Sequence, residues 1–168
     1  MSFVAILMGS ESDWPVMQAT AETLARLEID HEVRITSAHR TPQATAEYVA
    51  DAVGRGCAVF VCGAGMAAHL AGAVAAQTVR PVIGVPIDSG PLAGFDALLS
   101  TVQMPGGIPV ATVAVGKAGA RNAGYLAAQM LALADPAIAE RLEADRAGNR
   151  DNVQSQNQRL QTELKKKK

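Results

Sequence analysis

A three-layer α/β domain with a central parallel sheet is the fold this 168-residue chain predicts, and two observations predict it. Apolar runs recur at 3–8, 31–36, 57–62, 82–86 and 109–115 with helical segments between them, the pattern of a parallel sheet covered on both faces. Loops of small residues follow those runs, and the fold gathers such loops along one edge, at the carboxyl ends of the strands.

The elements follow in order. Phe3–Met8 ends in Gly9-Ser10 like a buried strand, and the run is too short for a signal-peptide core with its cleavage site. After Ser12-Asp13, either of which can cap a helix, Val16, Met17, Thr20, Leu24 and Leu27 recur at helical spacing and give the first helix an inward stripe. His31–Thr36 alternates as a strand. Thr41 then caps a second helix, with Pro42 in its first turn and its end near Gly54 or Gly56. A third helix is expected from about Met66 to Thr78. The Gly84–Asp96 segment, rich in glycine and proline, is suited to cover a ligand, and Val102–Pro109 shapes a second tight loop. In the helix over Ala118–Leu133, Gly119, Ala123 and Ala127 form a ridge that permits close helix contact, here expected with another subunit.

The end of the chain differs in kind. It is rich in Gln, Asn, Arg and Glu, and Val153, Leu160 and Leu164 are its sparse apolar anchors. One domain over 1–150 and a polar tail over 151–168 are expected, the tail either an arm on a neighbouring subunit or a polar helix frayed over its last ten residues, with fraying favoured.

Composition excludes several classes of function. A formal net charge of −1 and a pI near 6.3 argue against nucleic-acid binding, which needs a basic surface. No stretch approaches the ~20 apolar residues of a membrane span, so a cytoplasmic protein is expected. Cys57 and Cys62 lie five apart on one strand, point to opposite faces and read as small core residues. Without a Cys/His cluster at ligand spacing, no metal site is expected.

Three loops carry chemistry. Gly9-Ser-Glu-Ser-Asp13 opens a helix whose free N–H groups and dipole favour an anion: Gly9 permits close approach, Ser10 and Ser12 offer hydroxyls, and Asp13 can accept from a sugar hydroxyl or an arginine. Simple capping explains the same residues. Ser37-Ala38-His39-Arg40 lies at a strand-to-helix junction and sets an imidazole, able to move protons near neutral pH, beside a permanent cation suited to phosphate. The third strand ends in Gly63-Ala64-Gly65 and leads to Ala68-His69-Leu70; with no carboxylate nearby in sequence, His69 reads first as a satisfied core histidine and only second as a functional one. The strict dinucleotide-binding fingerprint is absent, which disfavours a nicotinamide cofactor.

Taken together, Gly9–Asp13, Ser37–Pro42, Gly63-Ala-Gly, Ala67–Leu70, Val82–Pro86 and Val102–Thr112 resemble the bacterial N5-carboxyaminoimidazole ribonucleotide mutases of purine biosynthesis, over residues 3 to about 134. The resemblance implies a flavodoxin-like fold and a reversible carboxylate shift from the exocyclic nitrogen to ring carbon C4, without ATP, metal or organic cofactor. It makes His39 the catalytic acid/base and gives Ser10, Asp13 and Arg40 to phosphate and ribose. Gly9, Ser12, Ser37, Ala38, Gly63, Ala64, Gly65, Ala68 and Leu70 join them as substrate-binding candidates, and His69 as a second catalytic one. It further implies octamers whose sites cross subunit interfaces. The chain departs from the family pattern at Met66, Ala71 and the Asp88–Ala93 loop. Three rival readings are a carboxylase that uses carbon dioxide directly, a non-catalytic nucleotide- or flavin-binding module, and a purely structural oligomeric shell, which the alanine-rich helices would support.

Overall fold

The computed structural model describes residues 2–166. Five strands, β1 (Phe3–Met8), β2 (His31–Ile35), β3 (Cys57–Gly65), β4 (Val82–Ile87) and β5 (Ala111–Thr112), form one sheet in the order β2-β1-β3-β4-β5, every neighbouring pair parallel. Six helices accompany them: α1 (Trp14–Arg26), α2 (Pro42–Gly54), α3 (Leu70–Ala75), α4 (Phe95–Val102), α5 (Lys117–Ala132) and α6 (Pro136–Lys166). This is the flavodoxin-like order, in which the chain reverses its direction of winding between β1 and β3.

The strands are buried because each feeds two cores. In β1, Val4, Ile6 and Met8 point to the side of α1 and α5, while Phe3, Ala5 and Leu7 point to α2 and α3. All six are buried, and Leu7, which has no exposed surface, would cost about 2–5 kcal/mol on truncation to alanine. Gly84 in β4 has no room for a side chain, because Thr101 of α4 and Val110 already fill the space a Cβ would take.

Five expectations need correction. Cys57 and Cys62 do not face opposite ways: both lie in the core with Phe60 and Leu7, where the β1–β3 register shifts between Phe3 and Val4. The Gly119/Ala123/Ala127 ridge of α5 is buried within the chain: Gly119 lies against the Ala114 backbone, and α5 packs on α1, where Thr20 Oγ1 donates to the Ala120 carbonyl at 2.6 Å and a Cβ on Gly124 would lie 2.9 Å from Thr23 Cβ. It is not left for another subunit. The third helix is only Leu70–Ala75, because Met66 takes a left-handed backbone (φ 55°) that no α-helix includes. Only residues 111–112 of the expected fifth strand pair as strand, and α4, which forms where a covering loop and a tight turn flank an unassigned stretch, was not foreseen. The tail is not frayed up to Lys166: α6 runs unbroken from Pro136 to there. Its base is tied down, with Arg26 and Tyr125 both bonded to Asp145 and Arg141 Nε donating to the Leu27 carbonyl at 2.7 Å. Residues 151–166 are exposed along their whole length; Lys167 and Lys168 lie outside the described residues.

Candidate active site

The carboxyl ends of β1, β2 and β3 meet at the reversal point of the sheet, where the fold opens a crevice. A cleft of about 340 Å³ lies there, lined by residues from three strand-end loops and by Ser89 after β4. Its size falls within the range of small-molecule sites.

The first loop is fastened by a reciprocal cap. Ser10 accepts from the Ser12 backbone N–H, and Asp13 Oδ2 accepts from the Ser10 N–H at 3.1 Å, holding a short 3₁₀ turn (Glu11–Asp13) that leads into α1. Ser10, rather than Ser12 or Asp13, is therefore the residue whose side chain caps. Asp13 is buried, and that burial raises its carboxyl above the ordinary range, opposed by the N–H groups of Ser10 and Gly9 and by the Arg40 guanidinium.

The second loop is fastened by hydroxyls. Thr41 Oγ1 accepts from the Ser37 N–H at 2.9 Å and donates to the Ser37 carbonyl at 3.1 Å, and the Arg40 N–H donates to Ser37 Oγ at 3.2 Å. Thr41 occupies the N-cap position of α2 as expected, but its hydroxyl reaches backward to shape the loop and does not cap the helix. Below it Thr36 and Thr45 share a buried hydroxyl pair at 2.6 Å. The closed turn exposes His39 and Arg40, and Arg40 Nη2 donates to the Gly9 carbonyl at 2.9 Å, joining the first two loops.

The third loop brings the second histidine. After Met66 the chain makes two tight turns, the Ala68 N–H to the Met66 carbonyl at 2.9 Å and the His69 N–H to the Ala67 carbonyl at 2.8 Å. His69 thus precedes α3 and is exposed in the cleft, so the reading as a core histidine is set aside. His39 Nε2 and His69 Nδ1 stand 2.7 Å apart, with the rings edge to face at 81°. One nitrogen of that pair donates and the other accepts, so a single proton lies between the rings. Each ring keeps a second nitrogen with no hydrogen bond among the described residues.

Twelve of the fourteen residues named from the sequence line this cleft: Gly9, Ser10, Ser12, Asp13, Ser37, Ala38, His39, Arg40, Ala64, Gly65, His69 and Leu70. Gly63 and Ala68 do not. Gly63 is bare because Met17 of α1 packs where a Cβ would stand, and Ala68 is buried with its carbonyl toward Thr101. Met66, Ala67 and Ser89 line the cleft without having been singled out as site residues. Ser89 had a readable signal, since it follows β4 at the same sheet edge; of the expected covering loop it alone reaches the cleft.

A parallel sheet of this order, with an anion-favouring turn, an arginine and a histidine pair at its reversal point, defines an enzyme of the small-molecule nucleotide class. The chain belongs to the AIR carboxylase family, whose model matches residues 3–152. It is 51% identical over 150 residues to the N5-carboxyaminoimidazole ribonucleotide mutase of Vibrio vulnificus, covering 89% of this chain and 93% of that one. The mutase of that name from Mycobacterium tuberculosis is 52% identical over 158 residues, 94% of this chain and 90% of its own. The crystal structure of Treponema denticola PurE matches with a TM-score of 0.85 and 30% identity, over 95% of this chain and 99% of that chain.

Proposed function

We propose that this chain is an N5-carboxyaminoimidazole ribonucleotide mutase of purine biosynthesis, and the observation that carries the reading is the 2.7 Å contact of His39 and His69 in the cleft that also holds Arg40 and the Ser10–Asp13 turn. The Arg40 cation and the Ser10 and Ser12 hydroxyls bind the 5′-phosphate, and Asp13 accepts from a ribose hydroxyl. With the nucleotide anchored, the carbamate N–C bond breaks, the exocyclic nitrogen takes a proton from His39, and carbon dioxide stays in the cleft. The C4 carbon then attacks it, forming the C–C bond, and the C4 proton passes to His39. One proton is given and one returned, so the cycle is neutral. His69 serves as the partner that accepts or returns charge across the 2.7 Å contact.

Incubation with N5-carboxyaminoimidazole ribonucleotide, without ATP or bicarbonate, should yield the C4-carboxylated product. If product forms only from aminoimidazole ribonucleotide and bicarbonate, the protein is a direct carboxylase instead. A purified protein carrying flavin absorbance would favour a binding module.

The reading extends to assembly and location. Val33 and Ile35 on the edge strand β2, with Trp14 beside them, and Phe95, Leu99 and Val102 along α4 are large apolar side chains left exposed in one chain. Two such patches support a homo-oligomer, for which we take eight subunits. No helix among the described residues is long and apolar enough to cross a membrane, and we place the enzyme in the cytoplasm with its substrate. Light scattering reads the subunit number directly; an active monomer would contradict the assembly.

A further inference from the structure

Met66 is a non-glycine residue in a left-handed conformation, with φ 55°, in a loop flanked by glycine and alanine. A long unbranched side chain is a costly occupant of that backbone, since its Cβ crowds the following carbonyl. Nor does core packing explain it, for Met66 is 57% exposed. The side chain lies instead at the mouth of the cleft, which it lines beside Ala67 and His69.

What it meets there is the loop after β4. A Cβ built on Gly90 would sit 3.4 Å from Met66 Cγ, so the methionine stem lies over the bare face of that glycine. One residue earlier the relation is reversed: Ser89 occupies the space that a side chain on Gly65 would need. Residues 65–66 and 89–90 therefore interlock, each loop offering one side chain and one glycine. The Asp88–Gly94 loop is otherwise loosely held, with Ser89, Gly90 and Leu92 all exposed and left-handed Ala93 strained near its end.

We propose that Met66 is a positioning residue that clasps the loop after β4 across the cleft mouth and closes the carbon dioxide intermediate off from water. This rests on the mutase reading, in which the liberated molecule must stay until C4 attacks it. A thioether gives apolar, adaptable cover and offers dissolved carbon dioxide no hydrogen bond to compete with. The bonds made and broken are unchanged; Met66 alters only whether the released carbon dioxide recombines or escapes.

The test uses substrate labelled in its carboxylate, with excess unlabelled bicarbonate in solution. Wild type should deliver most of its label to the C4 product. Met66→Gly should lose label to solvent about fivefold more often per turnover, the ratio that roughly 1 kcal/mol of lost closure gives. Met66→Leu, apolar and of similar size, should restore retention. The melting temperature of Met66→Gly should stay within about 4 °C of wild type, because relief of the left-handed strain offsets the entropy glycine adds to the unfolded chain. Retention unchanged in Met66→Gly, or lost equally in Met66→Leu, would overturn the clasp. Partial unfolding would lower turnover without changing the fraction of label retained. A wild-type protein that makes no labelled product would refute the mutase reading itself, whatever Met66 does.

Discussion

The two loops that carry histidines are built by opposite means. Ser37–Thr41 is shaped by hydroxyls and backbone within five residues, closed by Thr41 on Ser37 and by Ser37 on Arg40. Gly63–His69 has no such internal side-chain bonds. It takes its course from what presses on it: Met17 under Gly63, Ser89 over Gly65, Thr101 at Ala68. The first loop carries its own instructions, and the second is moulded by neighbours distant in sequence. The 2.7 Å contact between His39 and His69 therefore depends on both local chemistry and remote packing.

The sharpest way to test the comparison is to remove chemistry and leave both shapes alone. His39→Asn should fold and bind nucleotide while kcat falls by about 10²–10⁴, the usual contribution of a positioned acid/base. A kcat within a few-fold of wild type would show that the proton travels elsewhere. Next in size is an assault on the moulded loop. Gly65→Ala drives a Cβ into Ser89 and should cost about 1–3 kcal/mol, read as a lower melting temperature with a lower kcat/KM. Adding Ser89→Gly should recover part of both losses, and a double variant no better than the single one would place the clash elsewhere.

The self-contained loop should be more forgiving. Thr41→Val removes the hydroxyl from both Ser37 bonds, yet the site is exposed and water can replace them, so about 0.5–1.5 kcal/mol is expected in denaturant unfolding. A loss as large as that of Gly65→Ala would erase the distinction.

Asp13 probes the turn to which the second loop is tied. Because its carboxyl titrates above the ordinary range in the folded chain, its protonated form is the better tolerated one. That favourable contribution is complete at acid pH, below the unfolded value, and is lost as pH rises through the folded value. Asp13→Asn, whose carbonyl can still accept from Ser10, should therefore be more stable than wild type at neutral pH, the gain vanishing on acidification. It should bind substrate more weakly. A stability difference that does not change with pH would mean burial is not what governs the group.

The smallest effect is expected far from both loops. Truncation after Arg150 removes 151–168, of which the described residues, 151–166, are all exposed, Val153, Leu160 and Leu164 among them. Activity and melting temperature should hold, the latter within about 2 °C. A protein that dissociates on dilution after truncation would identify the outer half of α6 as an arm on a neighbour.

The same contrast explains what could be read in advance. The sheet, its loops and twelve residues that line the cleft were legible because strand runs, caps and small residues are local signals. His39 and Arg40 stood out for that reason. His69 was named only through the family resemblance, since its own surroundings read as an apolar helix; in the structure the left-handed Met66 and two tight turns hold it ahead of α3 and facing His39. Gly63 and Ala68 looked like site residues because small side chains read alike whether a ligand or a neighbouring helix lies above them. The α5 ridge misled in the same way: its small residues announced a close partner without saying that the partner was α1 of the same chain.

That seam between α1 and α5 has a consequence for how the enzyme can drift. Gly124 sits against Thr23 and the Thr20 carbonyl with no slack, and α1 begins at the Ser10–Asp13 turn. A methyl group at position 124 would lever the helix outward and draw the turn away from Arg40. In a random library selected for altered phosphate affinity, position 124 should appear among the hits although it lies outside the cleft and more than a hundred residues along the chain from Ser10. The back of α1 is thus a tuning screw for the Ser10–Asp13 turn proposed to hold the phosphate, adjustable without touching any residue that lines the cleft.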